Sequence, residues 1–257
     1  MTVLATYNIK GGVGKTTAAV NLAVLAAREG ARTLIWDLDP QGATTFFPRV
    51  KPKVKGGGKG LVKRKHEMND LIKGTDYEHL DLLPADFSYR HLDIHLGDMR
   101  KPTRALNKVL KPLRGEYDFV FLDCPPSISL VSEAVFEAAD YLLVPLIPTT
   151  LSLRTLEQLK GFGRKNDLQQ LTVLPFFSMV DRRKKLHREI TATLAAEMPT
   201  ILTSEIPYAS DVEKMGVHRA ALVTFAGQSR SAKAFEALWN EVRLCIAREK
   251  TEKDNSL

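Results

Sequence analysis

The fold class that the sequence predicts is α/β: a doubly wound, mostly parallel sheet flanked by helices, in one domain spanning residues 1–257. Three observations lead there. Short apolar runs recur at residues 3–7, 32–36, 80–85, 118–123, 141–146, 172–179 and 201–207, and runs that are apolar at consecutive positions are how strands buried on both faces read. Segments of helical period separate most of them. The first, second and fourth runs lead to groups that carry chemistry: a glycine-rich turn, the pair Asp37 and Asp39, and Asp123. In an open parallel sheet the carboxyl ends of the strands form the edge where ligands bind, so these groups are expected together if the first two strands are near neighbours.

Residues 3–7 precede Lys10-Gly11-Gly12-Val13-Gly14-Lys15-Thr16-Thr17, and a helix is expected over 18–27. A strand, a glycine turn and a helix opening in that order make a phosphate cradle, to which Val13 and Thr17 also belong. Gly11, Gly12 and Gly14 lack Cβ atoms, so backbone N–H groups can turn onto polyphosphate oxygens, and the helix adds the positive end of its dipole. Lys15 is placed to neutralise the β- and γ-phosphates, and the Thr16 hydroxyl to ligate Mg²⁺.

The general phosphate-loop pattern has glycine where this chain has Ile9, with Lys10 directly after it. In this the loop resembles the deviant-Walker ATPases of the ParA/MinD type, and most of all the ParA (Soj-like) partition and positioning proteins, whose loop reads Lys-Gly-Gly-x-x-Gly-Lys-Thr. The resemblance implies the deviant P-loop NTPase fold, with ATP and Mg²⁺ as cofactors. It also gives Lys10 the role of the signature lysine, reaching across a nucleotide-sandwich dimer to the phosphates held by the other copy.

The second run ends in Asp37-Leu38-Asp39-Pro40-Gln41-Gly42, which matches the family pattern Asp-x-Asp-Pro-Gln position by position. By that match Asp37 binds near the loop and Mg²⁺, and Asp39 helps position the attacking water. The plainer reading of the same residues is a strand ending in an Asp-Pro turn. Asp123 takes the Walker B place, an acid that holds Mg²⁺ through a water, and Cys124-Pro125-Pro126-Ser127 resembles the family's switch II loop. Cys124 itself reads as a small buried thiol, because the cysteine spacing of the related nitrogenase iron protein is missing.

Residues 48–66 hold eight Lys/Arg and no acid, so by difference from the net charge of +7 the rest of the chain carries −1. With no apolar period and with Pro52, Gly56 to Gly58 and Gly60, the segment reads as a mobile basic loop. It could grip DNA phosphate, an anionic surface or an acidic partner, or be only a solvated insertion.

Further along, a short helix is expected at 68–72 and helical segments at 86–99 and 103–114, with Ala105, Leu106, Val109 and Leu110 as an inward stripe. Pro148-Thr149-Thr150 opens a helix to about residue 166. The loop after the run at 172–179 resembles, by position, the family's adenine-contacting loop, with Asp181 and Arg182 as candidates. Pro207 closes the last run beside a second nucleotide-side loop. Lys184 and Arg188 share a helix face at i, i+4, which is either half of a DNA-facing patch or a wet face. A helix over 229–250 carries Phe235, Leu238, Trp239, Val242 and Ile246 on one stripe. Near its start Arg230 matches the Arg of the family's Arg-Ser-x-x-Ala-type segment, a DNA-binding region, with Lys233 three residues on.

Two cysteines, Cys124 and Cys245, make neither a disulfide scaffold nor a metal box, which fits a reducing cytosol. No apolar run approaches the roughly 20 residues of a membrane span, no signal peptide is expected, and the polar tail at 251–257 offers almost no apolar face to lie on a membrane. Together with the resemblance, these features lead to an expected cytoplasmic, nucleoid-associated ATPase of weak intrinsic turnover. It is expected to dimerise on ATP, hold non-specific DNA and be stimulated by a small ParB-like or adaptor protein, so as to segregate or position a DNA or protein cargo. Two other readings stay open: a nucleotide-gated adaptor with negligible turnover, and a MinD-like membrane-associated positioning ATPase.

Overall fold

The central strands are apolar at successive positions because the sheet is covered on both sides, as the computed structural model, which describes residues 1–166 and 170–254, makes plain. The strands are β1 (Thr2–Thr6), β2 (Thr33–Asp37), β3 (Lys73–Gly74), β4 (Leu80–Leu83), β5 (Phe119–Asp123), β6 (Tyr141–Leu146), β7 (Thr172–Val180) and β8 (Leu202–Pro207). They form one sheet in the order β3-β4-β2-β5-β1-β6-β7-β8, parallel throughout except for the two-residue β3, which runs antiparallel to β4 at one edge. This is the α/β class expected, a doubly wound sheet flanked by helices.

Alternation along the strands divides the core in two. Val3, Ala5, Leu34, Trp36, Val120 and Leu122 face one layer, against Val131, Val135, Leu156, Ile190 and Leu194 of helices Leu130–Ala138, Thr150–Lys165 and Lys185–Glu197. Leu4, Ile35 and Phe121 face the other, against helices Lys15–Arg28 and Arg230–Asp254. The expected stripe on the last helix, Phe235 to Ile246, is buried there, with Trp239 ring to ring with Phe119 at 5.3 Å and donating from Nε1 to Glu29 at 3.0 Å. The stripe Ala105, Leu106, Val109 and Leu110 is likewise buried, in the first layer.

The first two strands are near neighbours, with β5 between β1 and β2. Some segments differ from expectation. The helical segments expected at 86–99 and 103–114 are broken into 3₁₀ turns and the short helices Leu92–Gly97 and Ala105–Leu110. The last helix reaches Asp254, so the tail read at 251–257 is helical as far as that residue, and 255–257 lie outside the described residues.

The largest difference is at 48–66. Where the sequence suggests a mobile loop with no apolar period, the segment contains helix Gly57–Val62, and Val54, Leu61 and Val62 are buried in the first layer. Its glycines dilute the apolar signal to a few side chains, but within the helix Gly58 and Leu61 lie at i, i+3 and are both buried, so one face is small or apolar. The Asp86 carboxylate accepts from the Val54 N–H at 2.8 Å and the Ser88 hydroxyl from the Gly58 N–H at 2.7 Å, tying the segment to the turn after β4.

Candidate functional site

The strand order brings three polar chain segments to one edge. Asp37 and Asp123 end β2 and β5 in register with each other, and Thr6 at the end of β1 stands in register with Asp123 on its other side. The glycine turn leaves β1 at the same edge and leads into helix Lys15–Arg28.

The turn is held by its own polar groups. Asn8 is buried, donating from Nδ2 to the Pro145 carbonyl at 2.9 Å while its Oδ1 accepts from the Lys10 N–H at 2.9 Å. Gly14 has φ +97°, and a Cβ there would lie 2.8 Å from the Ser178 hydroxyl, so this position is closed to other residues by both backbone and neighbour. Lys15 is buried, and its Nζ donates to the Lys10 carbonyl at 2.8 Å. Burial lowers its pKa, opposed by the negative charge of Asp123.

Asp123 collects hydroxyls from three segments. Thr16 and Thr44 each donate to Oδ2 at 2.7 Å, and Thr6 donates to Oδ1 at 3.3 Å. Asp37 accepts at Oδ2 from both the N–H and the hydroxyl of Thr45, at 2.7 Å each, and at Oδ1 from the Asp39 N–H at 3.2 Å. Both acids are fully buried, which drives both pKa values upward, and the negative charge of Asp123 adds to the rise at Asp37. Such a pair favours neutralisation by a proton or a cation. Asp39 is half-buried beyond them, its Oδ1 accepting from the Gln41 N–H at 2.9 Å. Hard oxygen donors beside a buried amine and a turn of free N–H groups fit a divalent cation together with a polyphosphate.

The remaining candidates lie outside this cluster. Val180 is in register with Pro207 and accepts from the Tyr208 N–H at 3.0 Å, so the loops carrying Asp181 and Arg182 and that following Pro207 adjoin. Asp181 is paired with Arg183 at 2.9 Å, which pulls its pKa down to about 2, and Arg182 with Glu205 at 2.8 Å. Lys184 is the N-cap residue of helix Lys185–Glu197, and Arg188 donates back to the carbonyls of Arg182 and Arg183 at 2.6 and 3.1 Å, bracing that loop. Arg230 and Lys233 are exposed on the first turn of the last helix. Cys124 is buried, as expected, and its thiol is pushed well up by burial.

A family model described as AAA domain matches residues 1–172. The chromosome partitioning protein ParA of Caulobacter vibrioides is 32% identical over 214 residues, which are 76% of this chain and 75% of that protein. The chain belongs to the ParA/MinD-type ATPases. Soj, the sporulation initiation inhibitor protein of Bacillus subtilis, is 29% identical over 93% of this chain and 97% of its own. An ATP complex of a Cyanothece McdA variant superposes with a TM-score of 0.78 at 25% identity, covering 93% of this chain and 96% of that one. Cobyrinic acid a,c-diamide synthase from Mycobacterium smegmatis, bound to an ATP analogue and magnesium, superposes at 0.79 with 27% identity and 93% of both chains.

In this ParA-type site the sequence motifs end at Gly42 and do not reach Thr44 and Thr45, which hold the two buried acids, nor do they mark Asn8, which braces the loop, or Ser178, which packs close against Gly14. The one signal for the first pair is their place: adjacent hydroxyls a few residues after the Asp-x-Asp-Pro-Gln pattern, at an edge where a ligand is expected.

Proposed function

We propose that this chain is a ParA-like partition or positioning ATPase that binds ATP with Mg²⁺, dimerises on it, holds non-specific DNA in that state and hydrolyses ATP when a small ParB-like or adaptor protein presses on the dimer. The observation that carries the reading is the convergence at Asp123, where hydroxyls from the glycine-loop helix (Thr16) and from the segment after β2 (Thr44) meet one carboxylate oxygen at 2.7 Å. A cation held there touches both the nucleotide loop and the segment bearing Asp39, as a nucleotide-sensing switch requires. The ATP and magnesium complexes of the structural neighbours, and the ParA and Soj relatives, support the cofactors and the task.

In this reading Thr16 and Asp123 hold Mg²⁺, with Asp37 beside them. Gly11, Gly12, Val13, Gly14 and Thr17 cradle the phosphates, and Lys15 supplies the main counter-charge. ATP supplies the phosphoanhydride whose terminal phosphoryl group passes to water. Asp39, held by the Gln41 N–H, orients that water. Lys10, half-buried at the mouth of the loop, reaches the phosphates of the second copy. Asp181, Arg182 and Pro207 lie by the adenine. Ile128, Leu151 and Tyr208, exposed after β5, β6 and β8 at the same edge, are apolar surface for the dimer to cover. Arg230, Lys233, Lys184 and Arg188 meet DNA phosphate. In the described residues no helix is long and apolar enough to cross a membrane, and a place on the nucleoid follows from the DNA contact.

Light scattering with ATP and Mg²⁺, together with phosphate release in the presence and absence of duplex DNA, tests this. A dimer only with ATP and slow phosphate release are expected. A protein that stays monomeric with ATP and releases no phosphate under any condition is not this machine.

A further inference from the structure

The basic segment at 48–66 is the largest charged feature the nucleotide site leaves unused. Of its eight cations, Arg49 is turned away, bonded to Asp76 at 3.4 Å and to the His218 carbonyl at 3.3 Å. The other seven, Lys51, Lys53, Lys55, Lys59, Lys63, Arg64 and Lys65, are exposed and form no salt bridge among the described residues. Their backbone is nonetheless held in place, by the buried Val54, Leu61 and Val62 and by the bonds to Asp86 and Ser88. Lys51, Lys53 and Lys55, with Lys73 of β3, surround a concavity of about 360 Å³ whose wall holds one acid, Asp70.

The composition of this face selects among polyanions. It exposes no large apolar side chain: Val54, Leu61 and Val62 are buried, and Val50 is half-buried, lining the concavity beside the buried Leu71. A protein interface needs an apolar centre, whereas contact with a phosphate backbone is electrostatic. Nor does 48–66 contain Phe, Tyr or Trp, the side chains on which the bases of a single strand stack. The segment also abuts the nucleotide-sensing loop: a Cβ on Gly42, in the Asp37–Gly42 turn, would lie 3.4 Å from Pro52.

We infer that the 48–66 segment is a second duplex-binding surface, in which Lys51, Lys53 and Lys55 contact the phosphate backbone separately from Arg230 and Lys233. This rests on the proposed ATP-dependent binding of non-specific DNA and adds a site to it. Basic groups on an ordered platform need little rearrangement to meet regularly spaced phosphates. Each phosphate neutralised releases condensed counterions and steepens the salt dependence.

The test uses the full chain with ATP and Mg²⁺ and a fluorescent random-sequence duplex, titrated by anisotropy across a salt series. Three proteins are compared with wild type: the triple variant Lys51→Gln, Lys53→Gln, Lys55→Gln; the same three positions changed to Arg; and Arg230→Glu. Because the glutamine triple leaves three phosphates without a counter-charge, its slope of log K against log salt becomes shallower by about 2.7, at about 0.9 per phosphate. Affinity near 100 mM salt falls at least tenfold in the glutamine triple, while its ATP dimer forms as in wild type and the arginine triple binds like wild type. A glutamine triple with wild-type affinity and slope overturns this inference and leaves the DNA reading standing if Arg230→Glu is impaired. If the glutamine triple keeps duplex binding but loses binding to polyglutamate, the face serves an acidic protein and the inference is overturned. Wild-type protein that binds no duplex in any nucleotide overturns the DNA reading, and this inference with it.

Discussion

Asp37 and Asp123 end neighbouring parallel strands at the same register level, buried side by side, and each is held by a hydroxyl from the same Thr44-Thr45 pair. Two acids so placed carry like charges in low dielectric, and the short segment that satisfies them is the one leading from Asp39. Any cation that relieves their repulsion therefore also acts on that segment.

The pair sets a pH dependence. Burial raises both folded-state pKa values above the unfolded carboxylate value, about 3.9, with the charge of Asp123 adding to the rise at Asp37 and that of Asp39 to the rise at Asp123. A raised acid pKa means that the folded state binds protons more tightly than the unfolded, so these groups cost stability progressively as pH rises from about 4 through their folded pKa values. Asp37→Asn removes one charge and its repulsion. In metal-free buffer it is expected to be more stable than wild type at pH 8 and nearly equal at pH 4.5, by urea midpoints at the two values. In the proposed role it also loses the stabilisation wild type gains from Mg²⁺ with ATP. An Asp37→Asn protein less stable than wild type at pH 8 without metal contradicts that sign.

Gly14→Ala is expected to destabilise by about 1–3 kcal/mol, since its φ of +97° is strained for any side chain and the new Cβ meets the Ser178 hydroxyl. Ser178→Gly in the same chain restores the part due to collision and leaves the part due to φ. Denaturant midpoints of the two single variants and the double variant separate these effects, and strict additivity would show that the two residues do not touch.

Lys15→Ala is predicted to lose nucleotide by at least a hundredfold, because a polyphosphate in the loop is left without its nearest buried cation. Lys10→Ala keeps nucleotide within a few-fold, as the Lys10 backbone rather than its side chain bonds the loop, yet does not dimerise. Isothermal titration with an ATP analogue and light scattering distinguish the two. Wild-type dimerisation of Lys10→Ala removes the signature role from this residue.

Asp39→Ala is predicted to retain ATP and to slow phosphate release at least tenfold, accumulating dimer. Asp39 is half-exposed and its own bond is local, to the Gln41 N–H, so the fold loses little. Unchanged steady-state release, with and without the stimulating partner, rejects the water-positioning role.

The glycine loop, Asp37, Asp39 and Asp123 are legible from sequence because each is a local signature: consecutive residues after an apolar run, where strand and turn chemistry act over a few positions. The two-sided sheet is legible for the same reason, since strands buried on both faces cannot alternate. The helix at 57–62 escapes a sequence reading because glycines hide a face of only a few apolar groups, and the segment is also held by bonds to Asp86 and Ser88, some 30 residues on. Strand order is a property of the whole chain. Inserting β5 between β1 and β2 is what sets Asp123 against Asp37 and puts Thr16 and Thr44, 107 and 79 residues away, on one oxygen. Local propensity carries no information about which strands become neighbours. That choice belongs to the packing of both faces together, and only the folded chain shows which hydroxyls meet the buried acids.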